Sequence, residues 1–540
     1  MSILIKSVRI AGFRGLNNIE VELDKITVLT GMNNAGKTSF LKALQLALGS
    51  RQFISQDDFF IQGNNTANKI TIDVLIIPID KEGKPSAEFT GEWERLFTTN
   101  RIQDDGINSF VPLRTIISFD HVKNSFKTDQ SILKTWGVFY GKNKNWFDSD
   151  NGSQLGFHFD ELPFFYMDAQ RDILEDTKLR SSYLGKMLSK IEYSPEDIKE
   201  IEKQISALNE KAVNSSEILS TIKSTLKGLD SAMDTNSDGI EITPFTKKIR
   251  DLNKGLTIYY SDNQDSFSME YHGMGTRSWS SLLTLKSFIS LLFKNAEKEK
   301  SAFYPILAIE EPEAHLHPNA QKKLYGQINS IAGQKIISTH SPYIAATAEL
   351  KQIRNFYKGQ QVRCGKIDID NLTSEEIRKI NRQVIHSRGE IFFSKLIVFF
   401  EGETEEQALP IFAEKYFCKT PVEMGLDFVG VGGYGNYLPF LRFAESLNIP
   451  WLILSDAESN VVESVKKQLA DSDSSKNEGD SIVFLDDKND IEKQLIADGF
   501  NVSANFSAYY PFIFTGLIIN APITGVHYES SDITTKTNLV

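Results

Sequence analysis

The sequence predicts an α/β protein in two parts: a glycine-loop head carrying a helical insertion, then a smaller domain built on a parallel sheet. Three observations carry that prediction. The buried apolar run ITVLT passes through a glycine-rich loop into a helical pattern that starts at Lys37. From about 172 to 230 apolar residues fall at helical spacing in a chain rich in Lys, Glu and Ser, as in IKEIEKQISALNEKAV. From 395 to 458 strand and helix patterns alternate, the order that builds parallel β/α layers.

Gross composition sets the bounds. At roughly 100 to 200 residues per domain, 540 residues make about three to five domains. With 41% apolar and 24% charged residues, the chain is of ordinary globular type, neither disordered nor fibrous. Its two cysteines, Cys364 and Cys418, exclude a disulfide framework and a cysteine-rich zinc site, and suit a reducing, cytoplasmic setting. No run approaches the roughly 18 apolar residues of a membrane helix, and the start MSILIKSVRIAGF has no signal-peptide core. Neither secretion nor a membrane span is expected. A net charge of -12 excludes a protein that coats nucleic acid through its whole-molecule field, and leaves room for local basic surfaces.

In chain order, residues 1–167 read as the first lobe of the head. Strands ILIKSVRIAGF and IEVELDKITVLTG flank the turn GLNN, and the helix through SFLKALQLALG stops at Gly49. ITIDVLIIPI, LRTIISFD and TWGVFYG then read as an antiparallel appendage. Residues 168–255 form the helical arm, an insertion suited to dimerisation, with too few clean heptads for a long coiled coil. The second lobe spans 256–350, with the helix SLLTLKSFISLLF and the strands leading to EEPEAHLHP and STHSP. Residues 351–390 read as a polar linker whose basic runs KQIRNFYKGQQVR and RKINRQVIHSR receive no site role, because a solvated helix face explains each equally well. The last domain, 391–540, ends in a tail containing the apolar run YYPFIFTGLII, read as a core strand in preference to a partner surface.

Chemistry enters at the glycine loop. Gly31-Met32-Asn33-Asn34-Ala35-Gly36-Lys37-Thr38 matches G-x-x-x-x-G-K-[ST] between a buried strand and a helix, the context that motif requires. The backbone from Gly31 through Asn33, Asn34, Ala35 and Gly36, with Ser39 following, can curl around phosphate at the positive end of a helix. Lys37 reaches the β and γ phosphates and Thr38 ligates Mg²⁺, so ATP with Mg²⁺ is the expected ligand. A partner carboxylate is needed on a later strand, and ILAIEEPE supplies it. Glu311 would orient and deprotonate the attacking water, while Glu310 stands where an aspartate usually holds Mg²⁺. His340, after the strand KIIS, is placed to touch the γ phosphate.

Together, AGFRGLNN with Phe13 and Arg14, the glycine loop, EEPEAHLHP and STHSP resemble the ABC-type ATPase heads of the RecF, SMC and OLD (overcoming lysogenisation defect) group. The resemblance implies that Arg14 belongs to the nucleotide site and that His340 is the switch histidine. It also implies a glycine-rich signature that completes a partner's ATP site across a homodimer. Gly273, Gly275 and Ser278, before the helix SLLTLKSFISLLF, are its best match, although the usual Ser-Gly-Gly order is absent.

The final domain carries the second set of carboxylates. Glu401 and Glu405 follow strand KLIVFF, and Asp456 and Glu458 follow strand WLILS. Oxygen ligands at the carboxyl edge of a parallel sheet suit a divalent cation. The pattern resembles a TOPRIM domain, with Glu458 standing where Asp is usual. The resemblance adds Asp490 and Glu492 of NDIEKQL as completing a second metal site, and Gly432, Gly433 and Gly435 as a close-approach turn. A later basic residue belongs to the pattern too, and Lys536 is the only lysine of the tail from residue 504.

An ABC-type head followed by TOPRIM is similar to the OLD-family ATP-dependent endonucleases. That resemblance implies cleavage of DNA by Mg²⁺ or Mn²⁺ held at the TOPRIM carboxylates, ATP control by the head, and homodimers or higher assemblies. It also implies a role in phage defence or DNA processing, with a helicase or other defence-system protein as a further partner. The competing expectation is a non-cleaving ATP-dependent clamp or sensor of the RecF/SMC type with a degenerate TOPRIM domain. Glu458, Glu310 and the tail point that way; the complete order of acidic positions points to the enzyme.

Overall fold

The computed structural model describes residues 2–49, 54–63, 65–98, 100–120, 122–139, 146–148, 152–155, 159–179, 182–188, 194–226, 259–262, 265–369, 372–382, 389–472, 474, 476–485, 489, 491 and 493–494. Two compact units emerge: Met1–Ala169 with Lys300–Glu313 and His317–Val540, and Gln170–Glu299 with Ala314–Leu316. Asp490, Glu492, Lys536 and the run YYPFIFTGLII lie outside the described residues.

The first unit opens with β1 (Ser2–Ala11), β2 (Ile19–Glu22), β3 (Ile26–Thr30) and α1 (Lys37–Leu48). Next come β4 (Lys69–Ile79), β5 (Ser109–Asp120) and β6 (Ser125–Leu133). These strands, apart from β3, make an antiparallel sheet in the order β6-β5-β4-β1-β2, so ITIDVLIIPI and LRTIISFD of the expected appendage pair with the N-terminal strands rather than standing apart from them. Its centre holds an ion pair: Arg114 Nη2 lies 2.7 Å from Asp73 Oδ2, both side chains almost fully buried. Of TWGVFYG, expected as the third strand, residues 135–139 form no strand; β6 comes from the preceding SFKTDQSIL. There the Arg9 guanidinium stacks 4.0 Å from the Trp136 ring centroid and donates to the Gly137 carbonyl at 2.6 Å.

A second sheet runs β7-β8-β9-β3-β10-β11, from β7 (Phe164–Met167), β8 (Ile306–Glu310), β9 (Gln334–Ser338), β10 (Ile353–Lys358) and β11 (Val362–Lys366). All neighbours are parallel except the β10–β11 hairpin. Strands β3, β8 and β9 are buried along their whole length, which is why their sequences read as continuous apolar runs. Helix α1 packs against both sheets, burying Phe40, Leu41, Ala43, Leu44 and Ala47, and so carries apolar residues around most of its circumference.

Two boundaries differ from the sequence reading. The stretch 351–390, expected as a linker, supplies β10 and β11, which extend the head's sheet beside β3. Its buried Ile353, Phe356 and Val362 stand among the basic Lys351, Arg354, Lys358 and Arg363, so charge hid the strand. Helix Met274–Glu299, expected in the head's second lobe, groups with the arm instead. Arg277 pairs with Asp172, and Ser281 donates to Asp176, tying the helix to the start of the arm. Within the arm, helix Pro195–Ser215 is capped by Ser194, whose side chain accepts from the Asp197 N–H.

The last domain is a four-stranded parallel sheet in the order β13-β12-β14-β15, from β12 (Leu396–Phe400), β13 (Leu426–Gly430), β14 (Trp451–Ser455) and β15 (Ile482–Phe484). Helix α3 (Glu403–Phe417) follows β12, α4 (Tyr437–Ser446) follows β13 and α5 (Ser459–Asp471) follows β14; α2 (Pro318–Asn329) belongs to the head. Among the described residues no helix is long and apolar enough to cross a membrane.

Candidate functional site

The glycine loop joins β3 to α1 with Gly31 at φ 118° and Gly36 at φ 105°. A Cβ on Gly31 would lie 2.1 Å from the Phe356 carbonyl oxygen of β10, so the close approach of that strand requires glycine. Asn33, Asn34 and Thr38 are exposed, Ser39 is half-buried, and Ala35 is buried against the core. Lys37 is buried and turns back on the loop, donating from Nζ to the carbonyls of Gly31 at 2.7 Å and Met32 at 3.0 Å. Burial lowers its ammonium to about 8, although Glu311, Glu313 and Glu310 favour the charge.

β8 delivers the acidic residues. Glu310 is 8% exposed, and its carboxylate accepts from the hydroxyls of Thr38 and Tyr166. Glu311 takes a positive φ of 42°, and its N–H donates to the Ser338 carbonyl at 2.8 Å. His340 Nε2 stands 3.8 Å from Glu311 Oε1. Burial, then the nearby Lys37 charge, lowers His340 to about 4, so near neutrality the contact joins a neutral imidazole to a carboxylate. Glu313 holds the same loop from below: Oε1 accepts from Thr339 Oγ1 at 2.8 Å and from the His340 N–H at 2.6 Å. Its own pKa is raised, chiefly by burial.

Arg14 has φ 48°, and its Nε donates to Asp58 Oδ1 at 2.8 Å. Gly273 precedes helix Met274–Glu299, and a Cβ on Gly275 would fall 2.4 Å from the His315 carbonyl. Ser278 lies inside that helix, 1% exposed, rather than at an open helix start. Of the expected signature, the Gly273 end alone faces outward.

In the last domain Glu401 follows β12 and Asp456 follows β14, so adjacent parallel strands carry both to one sheet edge. Ser455 Oγ donates to Glu401 Oε1 at 2.9 Å, and the Gly433 N–H holds the Glu401 carbonyl at 3.1 Å. Glu405, one turn into α3, is 5% exposed. Glu401 is raised in pKa by burial first, then by the charges of Glu405 and Glu458. Mutual repulsion of that kind is the electrostatic mark of carboxylates gathered on one spot. Tyr437 is pushed well up by burial and by Glu401, Glu405 and Asp456, which puts it against the same cluster. Glu458 caps α5 and lies 3.5 Å from Lys493 Nζ. Gly432 and Gly433 take φ 74° and 115°, so the turn needs left-handed backbone; open space rather than close approach surrounds Gly435.

Among the described residues no group of three or more His, Cys, Asp or Glu side chains is closed tightly enough to hold a metal on its own. The donor set nevertheless fits a hard cation: all oxygen, partly buried, and repelling itself. Tyr166, Glu313, Ser455 and Lys493 are the residues the sequence reading passed over. Tyr166, Ser455 and Lys493 reach their sites through tertiary contacts that no local motif records, while Glu313 lay inside EEPE beside its two better-known neighbours.

Comparison with known proteins follows the same division. Residues 4–345 match the AAA ATPase domain family, and residues 392–457 match the OLD-like TOPRIM domain (overcoming lysogenization defect protein-like). The OLD nuclease of Thermus scotoductus is 24% identical over 486 residues, spanning 84% of this chain and 82% of its own. The Old nuclease of Escherichia phage P2 is 23% identical over 500 residues, 87% of this chain and 80% of its own. Among solved structures, an SMC head bound to the C-winged helix domain of ScpA aligns with 69% of this chain and 99% of its own, at 13% identity and a TM-score of 0.35.

Proposed function

The chain belongs to the AAA ATPase domain family and carries an OLD-like TOPRIM domain, and from that premise we propose that it is an ATP-hydrolysing, divalent-metal-dependent DNA endonuclease. The observation that carries the reading is the gathering of Glu401, Glu405 and Glu458 around the Asp456 edge of the parallel sheet, where burial, and after it the charges of Glu405 and Glu458, raise Glu401.

These carboxylates would hold Mg²⁺ or Mn²⁺, with Asp490 and Glu492 as further candidates. When bound, such a cation activates water and stabilises the leaving oxygen of a phosphodiester. The chain's own part is orientation. Ser455 fixes one oxygen of Glu401, the Gly433 N–H fixes its backbone, and buried Glu405 approaches from α3. In the head, the loop from Gly31 to Ser39 would cradle ATP, Lys37 would pair with its phosphates, and Thr38 with Glu310 would hold its Mg²⁺. Glu311 would accept a proton from the attacking water, with neutral His340 beside it as the γ-phosphate contact. Arg14 and the Gly273–Gly275 turn of a second copy would close the nucleotide site in a homodimer. A role in phage defence or DNA processing belongs to this proposal as well.

Separate loss of the two activities tests it. Lys37→Ala should weaken nucleotide binding by about 10- to 100-fold, the worth of a hydrogen bond to a charged group. Glu401→Ala should leave nucleotide binding intact and lower DNA cleavage by more than the roughly 100-fold that loss of an outer-shell partner costs. Cleavage of DNA at equal rates by wild type and Glu401→Ala would overturn the metal assignment.

A further inference from the structure

Glu310 ends β8 with both carboxylate oxygens engaged. Thr38 Oγ1 donates to Oε1, and the Tyr166 hydroxyl donates to Oε2. Tyr166 belongs to none of the motifs above. It sits on β7, the edge strand that runs parallel to β8 with Tyr166 opposite Ala308. From the other side Lys42 of α1 sets its ammonium 3.8 Å from the ring centroid, a cation–π contact. The ring is therefore clamped between the helix that begins at the glycine loop and the strand that ends in Glu310.

We propose that Tyr166 is a positioning residue for the cation that accompanies ATP, holding the Glu310 carboxylate so that Oε1 faces Thr38. The inference rests on the ATP-site reading of the head. Glutamate has one more rotatable bond than the aspartate usual at this point, and an untethered carboxylate would sample several positions relative to Thr38. A hydroxyl on Oε2 fixes it while leaving its charge and Oε1 for the cation. Outer-shell donors of this kind typically contribute 10- to 100-fold to metal affinity. Tyr166 thus makes a glutamate serve where the shorter acid is the rule.

The test uses the full chain, a fluorescent ATP analogue and Mg²⁺. For Tyr166→Phe the Mg²⁺ concentration at half-maximal enhancement of nucleotide binding should rise about 10- to 100-fold. Nucleotide binding in EDTA, which depends on Lys37, should stay at the wild-type value. Glu310→Asp should raise the Mg²⁺ midpoint in the wild type and add little in Tyr166→Phe, because one tether underlies both losses. A wild-type Mg²⁺ midpoint in Tyr166→Phe, or losses that multiply as independent effects, overturns the proposal alone. Loss of EDTA-stage binding in Tyr166→Phe also overturns it, by making Tyr166 a structural support of the loop. If the wild type binds nucleotide no better than Lys37→Ala, the ATP-site reading itself fails.

Discussion

His340 shows how much of this site is set by single side chains. Its imidazole is lowered from the ordinary 6.5 to about 4 in the folded chain, because burial and then the Lys37 ammonium oppose a second positive charge. Between those two values only the unfolded chain takes up the proton. Stability is therefore untouched by His340 above about 6.5 and is lost as pH falls through that window towards 4. His340→Asn, which cannot titrate, should be less acid-labile there, measured as a smaller fall in urea midpoint between pH 6.5 and 4.5. An NMR titration of the His340 ring with a midpoint near 6.5 would contradict the account. Glu401 is shifted the other way for the same reason: burial, then the charges of Glu405 and Glu458, raise its carboxyl pKa by making the ionised form costlier than in an exposed carboxylate. Glu401→Gln should raise the thermal midpoint of the metal-free protein while abolishing stabilisation by Mn²⁺; an unchanged midpoint would show that the cluster stores no repulsion. Most of these residues were legible in the sequence, since GMNNAGKT, EEPE and STHSP are local patterns at strand ends. Tyr166 was not, because it meets Glu310 across 144 residues of chain and no spacing rule connects them.

Elements carry the link between the two chemistries. Thr30, the last residue of β3 before the glycine loop, donates to Asn355 Oδ1 at 3.0 Å, and Asn355 Nδ2 donates to the Leu447 carbonyl at 2.9 Å, just past α4. Asn355 is 3% exposed, so its amide joins the nucleotide-loop strand to a helix of the last domain in a dry environment. On the other side of that junction the His340 and Phe393 rings lie 6.1 Å apart, and Gly389 packs under the Pro342 carbonyl. Asn355→Leu would leave the Leu447 carbonyl and the Thr30 hydroxyl buried without this partner, and should cost about 1–3 kcal/mol of stability in urea unfolding. A change below about 0.5 kcal/mol, the range of ordinary surface substitutions, would mean that water replaces the amide. This junction was invisible in the sequence because β10 reads as a basic, polar segment. Ile353 and Phe356, separated by the polar pair Arg354 and Asn355, give no period-two pattern to outweigh four cationic residues in KQIRNFYKGQQVR.

At the scale of the molecule, a parallel sheet with a glycine loop and a second parallel sheet with a carboxylate edge follow each other in one chain. Both candidate sites lie at the carboxyl ends of parallel strands, where side chains from sequence-distant loops meet. The order of the two parts was legible because each β/α alternation is a local pattern. The grouping of helix Met274–Glu299 with the arm was not, since it depends on Arg277 and Ser281 finding Asp172 and Asp176, 105 residues away in each case. An acidic chain of net charge -12 also fits this arrangement. On the proposed reading a divalent cation would neutralise the carboxylate edge locally, so the whole surface need not be basic.

The central claim is that the carboxylate edge of the last domain cuts DNA with a divalent cation. Its most direct test is conversion of supercoiled plasmid by the purified protein in Mg²⁺ or Mn²⁺, with and without ATP, beside Glu401→Ala and an EDTA control. The account predicts nicked or linear product in the wild type, no product in EDTA, and at least about 100-fold less in Glu401→Ala. ATP turnover without any metal-dependent cleavage, or cleavage that survives Glu401→Ala, would contradict it.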